Sequence, residues 1–376
     1  MKISKESRSH ILTSLFSVLL ILILIFLPTG FEGAVQFKDA VKCRVRVESV
    51  NNDSIIDTGL IRTGQQVCDL EFLSGRFKGQ KSQGYNLLTG SLATDKIFRS
   101  GDIAQAIVHH DGEEILSVNL IDYYRLHWEL LLALAFAVFL IIFAGATGFR
   151  SVISFVVTVL VLWKILVPLY LKGYNPILIG LVVVAILTFA IVALVYGFDR
   201  RTFTAFFGCM LGICFAAGLS FICTKLFKIH GAVMSNSEAL LYSGYQYLNL
   251  TQIFMASVFI GASGSVMDLA VDITSAVNEV VRNCPEISRK NAVLSGIRVA
   301  RAAMGTMTTT LLLAYSGTCI ALLMTFMAQG TPIYNILNSN LVAAEIINTV
   351  AGSFGLASTA PFTALVAGTV LTKKKA

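Results

Sequence analysis

A chain of 376 residues that is 55% hydrophobic and only 14% charged, with a mean hydropathy of +0.75, lies far outside the composition of water-soluble globular proteins. This excludes a soluble enzyme as the bulk of the chain and predicts an α-helical polytopic membrane protein. The net charge of +7 calls for no nucleic acid, because the basic residues mark one side of a membrane, as argued below.

The first apolar run, "ILTSLFSVLLILILIFLP", follows Lys2, Lys5 and Arg8. It is longer than the apolar core of a secretion signal and no small-x-small cleavage site follows, so residues 1–30 read as a retained membrane anchor. Residues 31–125 differ in kind. "VKCRVRVESV" alternates apolar with polar residues, and "GQQVCDLEFLSG", "GYNLLTG", "IAQAIVHHDGEE" and "LSVNLIDYY" are short strand-like runs separated by Gly, Asn and Asp. They predict a small extracytoplasmic β domain, barrel- or sandwich-like, with "RSGD" at 99–102 as a turn into a strand. Its 11 basic and 13 acidic residues nearly balance. His109 and His110 are neighbours on a strand and point to opposite faces, which does not suit a shared ligand. Cys43 and Cys68 fit either a disulfide or separate burial.

Residues 126–376 form a multispanning domain of about seven helices. With the anchor, eight apolar runs lie near 11–29, 127–147, 151–171, 176–197, 202–224, 252–273, 304–327 and 343–371, each long enough for a hydrocarbon core about 30 Å thick. The last is too long for one straight span and contains Pro361, which predicts a kink, a break or a partly interfacial course. With eight crossings and a cytoplasmic N-terminus, the short inner segments hold 14 Lys and Arg residues, including Arg200, Arg201, Arg298, Arg301 and Lys373–Lys375. The short outer loops hold only Lys172, Lys225 and Lys228. The asymmetry places both termini in the cytoplasm and residues 31–125 outside. Lys164 stands inside the third run, where it snorkels or pairs. Cys209, Cys214 and Cys223 match no zinc spacing. Residues 284–300 suggest a short amphipathic helix after Pro285.

Three runs carry polar stripes at helical spacing. In "GASGSVMDLAVDITSAVNEV" and the residues before it, Ser257, Gly261, Gly264, Asp268, Asp272, Ser275 and Glu279 share one face. In "SGIRVARAAMGTMTTTLLLAYSG", Arg298, Arg301, Gly305, Thr308 and Ser316 share a face with Thr309 at its edge, and in "AAEIINTVAGSFGLASTAPFTALVAG" Glu345, Asn348, Gly352 and Thr359 do. A carboxylate at membrane depth costs about 2.5–3.5 kcal/mol on insertion scales, so Asp268 is expected to face polar company. The economical arrangement turns all three stripes inward around a shared polar path. Gly261, Gly264, Gly305 and Gly352 are expected to let helices approach closely.

These three blocks, with "RNCPEIS" after the first, resemble the hallmark segments of the YibE/F-like family of bacterial multispanning membrane proteins. The resemblance covers roughly 126–371 and is densest over 252–365. It implies a bacterial cell-membrane protein, and the β domain after a single anchor is similar to the longer members. The resemblance also implies an acidic residue where Ala302 stands and an Asn where Thr309 stands. This chain departs at both, which removes two polar groups from the path.

The expected function is a transporter or permease for an ion or small solute, with Asp268 as the binding group and Asp272, Arg298, Arg301, Thr308, Thr309, Glu345 and Asn348 lining the path. The alternative is an assembly or accessory protein that meets a protein partner through residues 31–125. An enzyme is not expected. Asp268 and Asp272 share one helix, whereas an aspartyl-protease pair must face each other from two, and "GASGSV" lacks the Lys-Ser/Thr ending of a phosphate loop. No cofactor motif occurs, a bound metal is left open, and the expected partners are lipid and a small solute or ion, not nucleic acid.

Overall fold

The computed structural model describes residues 5–31 and 40–372, with side chains from residue 12 onward. Lys2 and Lys373–Lys375, on which part of the orientation argument rests, lie outside the described residues, as do residues 32–39 of the β domain. Two compact units result, Met1–Phe31 with Leu140–Ala376, and Glu32–Phe139.

The second unit contains β1 (Ala40–Asn51), β2 (Ile55–Asp57), β3 (Arg62–Phe72), β4 (Lys81–Thr89), β5 (Ile103–Asp111) and β6 (Glu114–Tyr123). Alternation works as the sequence suggests: Cys43, Val45 and Val47 are buried while Arg44 and Arg46 face outward. The first half of β1 pairs with β5 and its second half with β3, with an irregularity between Val47 and Ser49. A parallel contact at Tyr85 and Asn119 joins β4 to β6, so the order β1-β3-β4-β6-β5 returns to β1. This is a closed five-stranded Greek-key barrel with the strand order of an OB fold, and β2 is a small hairpin extension of β3. Its core is Val45, Val47, Leu70, Phe72, Phe77, Phe98, Val108 and Val118.

Two polar side chains, Gln66 and Asn86, are buried inside the barrel wall. Gln66 donates to the Phe98 carbonyl at 2.9 Å and accepts from the Phe98 amide at 3.0 Å, while Asn86 donates to Gln66 at 3.1 Å and to the Lys96 carbonyl at 2.7 Å. These bonds replace strand pairing for the segment before β5 and pin it to the barrel. Cys43 and Cys68 are separate buried thiols, and burial, aided by Asp69, pushes Cys68 up to about 11, so neither is a reactive thiolate. His110 packs edge-on to Phe77 at 5.5 Å.

The helices are α1 (Lys5–Phe26), α2 (Leu126–Val161), α3 (Val167–Leu171), α4 (Pro176–Tyr196), α5 (Arg200–Leu226), α6 (Ser237–Tyr242), α7 (Leu250–Asn283), α8 (Arg289–Thr318), α9 (Ile320–Ala328), α10 (Ile333–Leu337) and α11 (Asn340–Val370). Among the described residues five runs are long and apolar enough to cross a membrane, or six if the bent pair α8–α9 is one span. The sequence led to eight. The runs 127–147 and 151–171 follow one another in the stretch Leu126–Leu171, which a kink divides into two helices, and the first run lies on α1, whose apolar part with described side chains is Leu12–Phe26. Within that stretch Gly145 adopts φ 57°, and a side chain at Gly148 would strike the Leu140 carbonyl eight residues back. A continuous helix would separate those positions by about 12 Å, so the chain turns sharply at Gly145. Lys164 finds a partner at the end of α1, donating to the Leu27 carbonyl at 3.1 Å, where a helix C-terminus favours a cation.

Two other expectations are narrowed or changed. Pro361 lies inside α11 without ending it, so the helix is not broken there, as membrane helices allow when neighbours shield the freed carbonyl. Residues 284–300 form no separate amphipathic helix, because Ser288 caps α8, accepting from the Asn291 amide at 3.3 Å, and the helix runs unbroken to Thr318.

The helical core lies between α5, α7 and α11. Phe259, Val266, Leu269 and Ile273 of α7 pack with Cys209, Ile213 and Ala216 of α5 and with Leu356, Ala360 and Ala364 of α11. Small residues set the closest approach. A Cβ at Gly208 would sit 2.8 Å from the Thr363 Cα, and one at Gly212 would lie 3.0 Å from the Thr359 Cβ. Of the four glycines picked out from the sequence, Gly261 and Gly352 are in close contacts, Gly352 with Ala262 and Leu311 at 3.2 and 3.3 Å. Gly264 and Gly305 have open space where a Cβ would go, so they are not packing residues.

Candidate functional site

Sequence periodicity identified the members of each stripe, and the structure shows which way each one points. Ser257, Gly261, Gly264, Asp268, Asp272, Ser275 and Glu279 are all exposed along α7. On α8 Arg298, Arg301, Gly305 and Thr309 are exposed, and Thr308 is half-buried. Only the α11 stripe turns inward, with Gly352 and Thr359 buried and Glu345 and Asn348 half-buried. The expected convergence of all three stripes therefore does not occur within one chain. The reason is visible in the core: the opposite face of α7 carries Val258, Phe259, Val266, Leu269 and Ile273, whose shapes fit the small-residue surfaces of α5 and α11.

The residues fall into three places. Asp268 and Asp272 sit one turn apart on α7, with no hydrogen bond or ion pair to Arg298 or Arg301 in the described residues. The two helices are antiparallel, with Gly261 beside Tyr315 and Gly296 beside Val277, so Arg301 is level with the stretch from Asp272 to Ser275 but on a different side. Just beyond the aspartates, Tyr196 at the end of α4 donates to the Val271 carbonyl at 2.6 Å and meets Ser275 Oγ at 2.6 Å. Arg201 lies over the Tyr196 ring, 5.2 Å from its centre, and binds Asp199 at 2.8 Å. Desolvation opposes ionisation of Asp199, but the Arg201 guanidinium and the Arg200 amide hold it below the usual carboxylate range.

The second place is the outward face of α8. Thr308 and Thr309 spend their hydroxyl donors on their own helix, bonding the Met304 and Gly305 carbonyls at 2.8 and 3.1 Å. They are satisfied without any ligand.

The third place joins α7, α8 and α11 where α8 meets α9 at an angle of 59°. The Asn348 Nδ2 donates to the Glu345 carboxylate at 3.4 Å. Tyr315 and Cys319 lie within electrostatic reach of Glu345, and the Tyr315 hydroxyl abuts Gly261. Tyr315 Oη and Asn348 Oδ1 are buried and have no protein partner. Sequence reasoning found Glu345 and Asn348 but missed Tyr315 and Cys319. Their signal was the sequence "AYSGTC", where Gly317 and a cluster of small polar residues interrupt an apolar run.

Among the described residues no group of three His, Cys, Asp or Glu side chains is placed to hold a metal ion. Several long apolar helices, a carboxylate at a helix break and a separate small barrel define an integral membrane protein with multiple spans. The family model for YibE/F-like proteins matches residues 132–373, and the chain belongs to that family. No curated protein and no solved structure matches it.

Proposed function

We propose that this protein is a transporter or permease that moves an ion or small solute along the polar side of α7. One observation carries the reading. Exposed small and acidic residues run without interruption from Gly261, against Tyr315, through Gly264 and Asp268 to Asp272 and Ser275, against Tyr196. A spanning helix that keeps such a stripe off its apolar core needs polar surroundings for it, and a solute path supplies them. Asp268 is the binding group within the stripe, with Asp272 beside it, and Glu345 with Asn348 forms the station at the other end. In this reading both termini are cytoplasmic, residues 31–125 are extracytoplasmic, and no covalent chemistry takes place. Flux measured in proteoliposomes tests it. Asp268→Asn is expected to abolish transport at unchanged expression, and wild-type flux from that variant would end the reading.

A second reading, an accessory protein acting through the barrel, has its own support. A cavity of about 460 Å³ opens on the barrel beside Lys42, Arg44, Asp122, Tyr124, Arg125 and Glu129, with Arg44 stacked over Tyr124 at 5.1 Å. Deleting residues 31–125 separates the two: retained flux favours the permease, and loss of a co-purifying partner favours the accessory role.

A further inference from the structure

We infer that the junction of α7, α8 and α11 binds a small monovalent cation, held by the Glu345 carboxylate, the Asn348 carboxamide oxygen and the Tyr315 hydroxyl. The inference rests on the transport reading for its purpose but stands on its own geometry. Most of the unpartnered buried polar atoms among the described residues are threonine hydroxyls, such as Thr188, Thr224, Thr274 and Thr363, which can swing toward a carbonyl of their own helix. Asn348 Oδ1 has no such recourse, because it only accepts. Its orientation is fixed as well. The Asn348 amide nitrogen faces Glu345 at 3.4 Å, and turning the amide over would put oxygen against carboxylate. The Tyr315 hydroxyl, the second unpartnered atom, reaches in from α8 against Gly261 of α7, within electrostatic reach of Glu345.

The donor set states the ligand's chemistry. Its ligands would be oxygens able to accept, with the Cys319 thiol bonded to Glu345 beside them and no Lys or Arg paired to Glu345 among the described residues. Hard oxygen donors select an alkali or alkaline-earth ion over a soft transition metal. The charge then decides between them. One carboxylate with two neutral oxygens balances a single positive charge, whereas a divalent ion would leave half its charge uncompensated in a low-dielectric setting. The helix break adds to the attraction: α8 ends at Thr318 and the chain turns by 59° into α9, which places the negative end of a helix dipole and its last carbonyls beside the site.

The test is the thermal unfolding midpoint of the purified full chain in detergent, measured at fixed pH and matched ionic strength in sodium, lithium or choline chloride. A bound cation is expected to raise the midpoint saturably over choline, by roughly 2–4 °C or more. Glu345→Gln keeps the shape and removes the charge, so the sodium-dependent rise should vanish while the midpoint in choline holds. Tyr315→Phe, which loses only a hydroxyl, should weaken the half-saturating sodium concentration about tenfold and decides the matter if Glu345→Gln does not fold. Equal midpoints in all three salts, a rise that survives Glu345→Gln, or a rise with calcium alone would each overturn the site. Flux assays keep the two ideas apart. A sodium-dependent midpoint without flux sinks transport and leaves the site, whereas flux without any cation-dependent midpoint sinks the site and leaves transport.

Discussion

Gly261 and Gly264 offer a matched perturbation on one helix. Both are exposed residues of α7, three positions apart, and both lie in the acidic stripe. Alanine relieves the conformational freedom of glycine in a helix, a gain of about 1 kcal/mol at either position. At Gly264 nothing lies within 4 Å of the new Cβ, so Gly264→Ala should keep that gain. At Gly261 the Cβ would land on the Tyr315 hydroxyl, and overpacking of this kind costs about 1–3 kcal/mol. The net effect of Gly261→Ala is therefore zero to about 2 kcal/mol of lost stability, and the two variants should differ by about 1–3 kcal/mol. Denaturant titration of each in matched micelles measures the difference. If both alanines shift stability by the same amount and in the same direction, then α7 does not press on Tyr315, and the junction of the three helices is looser than described.

Two predictions concern the barrel. Gln66→Leu leaves the Phe98 amide and the Asn86 amide without their shared acceptor inside the wall, and each orphaned buried group costs about 1–3 kcal/mol; amide hydrogen exchange across residues 95–104 should accelerate, and unchanged protection there would refute the pinning role. Asp57, held low by Arg62 and the Gly59 amide, and Asp95, whose desolvation is outweighed by bonds from Thr89, Gly90 and Ser91, both have folded-state values below the unfolded one. Their contribution is therefore complete above about pH 4 and disappears as the pH falls through the lowered values. Exchange protection in the barrel should drop on acidification below about pH 4, less steeply in an Asp57→Asn, Asp95→Asn double variant, and a flat profile in the parent would contradict the assignment.

What could be seen in the sequence followed from periodicity. β1, β3, β4, β5 and β6 were marked by alternation and by glycine-bearing turns, whereas β2 is three residues long and carries no pattern of its own. The seven members of the α7 stripe were found in full, because 100° per residue is a property of the helix and not of its neighbours. Which face is buried is a property of the neighbours. In water the apolar face would go inward by default, but in a bilayer an apolar face gains no such advantage by turning inward, and packing fit decides. The surface that meets α7 is formed by Cys209, Ile213 and Ala216 of α5 and by Leu356, Ala360 and Ala364 of α11, which the small-residue contact of α5 with α11 holds in place. These residues sit within apolar runs that give no hint of direction. The helix count meets the same limit: no polar loop marks the boundary between 127–147 and 151–171, and the turn there depends on the positive φ of a single glycine.

The two ends of the α7 stripe are linked mechanically by the helix itself. From Gly261 to Ser275 is 14 residues, about 21 Å of continuous helix, with a tyrosine against each end. Tyr315 touches the backbone at Gly261, and Tyr196 bonds both Val271 and Ser275. A slide of α7 past α4 must break the two bonds of Tyr196, and the same slide moves Gly261 off the Tyr315 hydroxyl, whose position helps define the Glu345 junction. On the transport proposal, a cation at Glu345 and the position of Asp268 would thus be coupled through one rigid element. That coupling would give the exposed Gly261 beside the Tyr315 hydroxyl a mechanical role, and Gly264, with nothing within 4 Å of a Cβ there, would be the position where the stripe stays open.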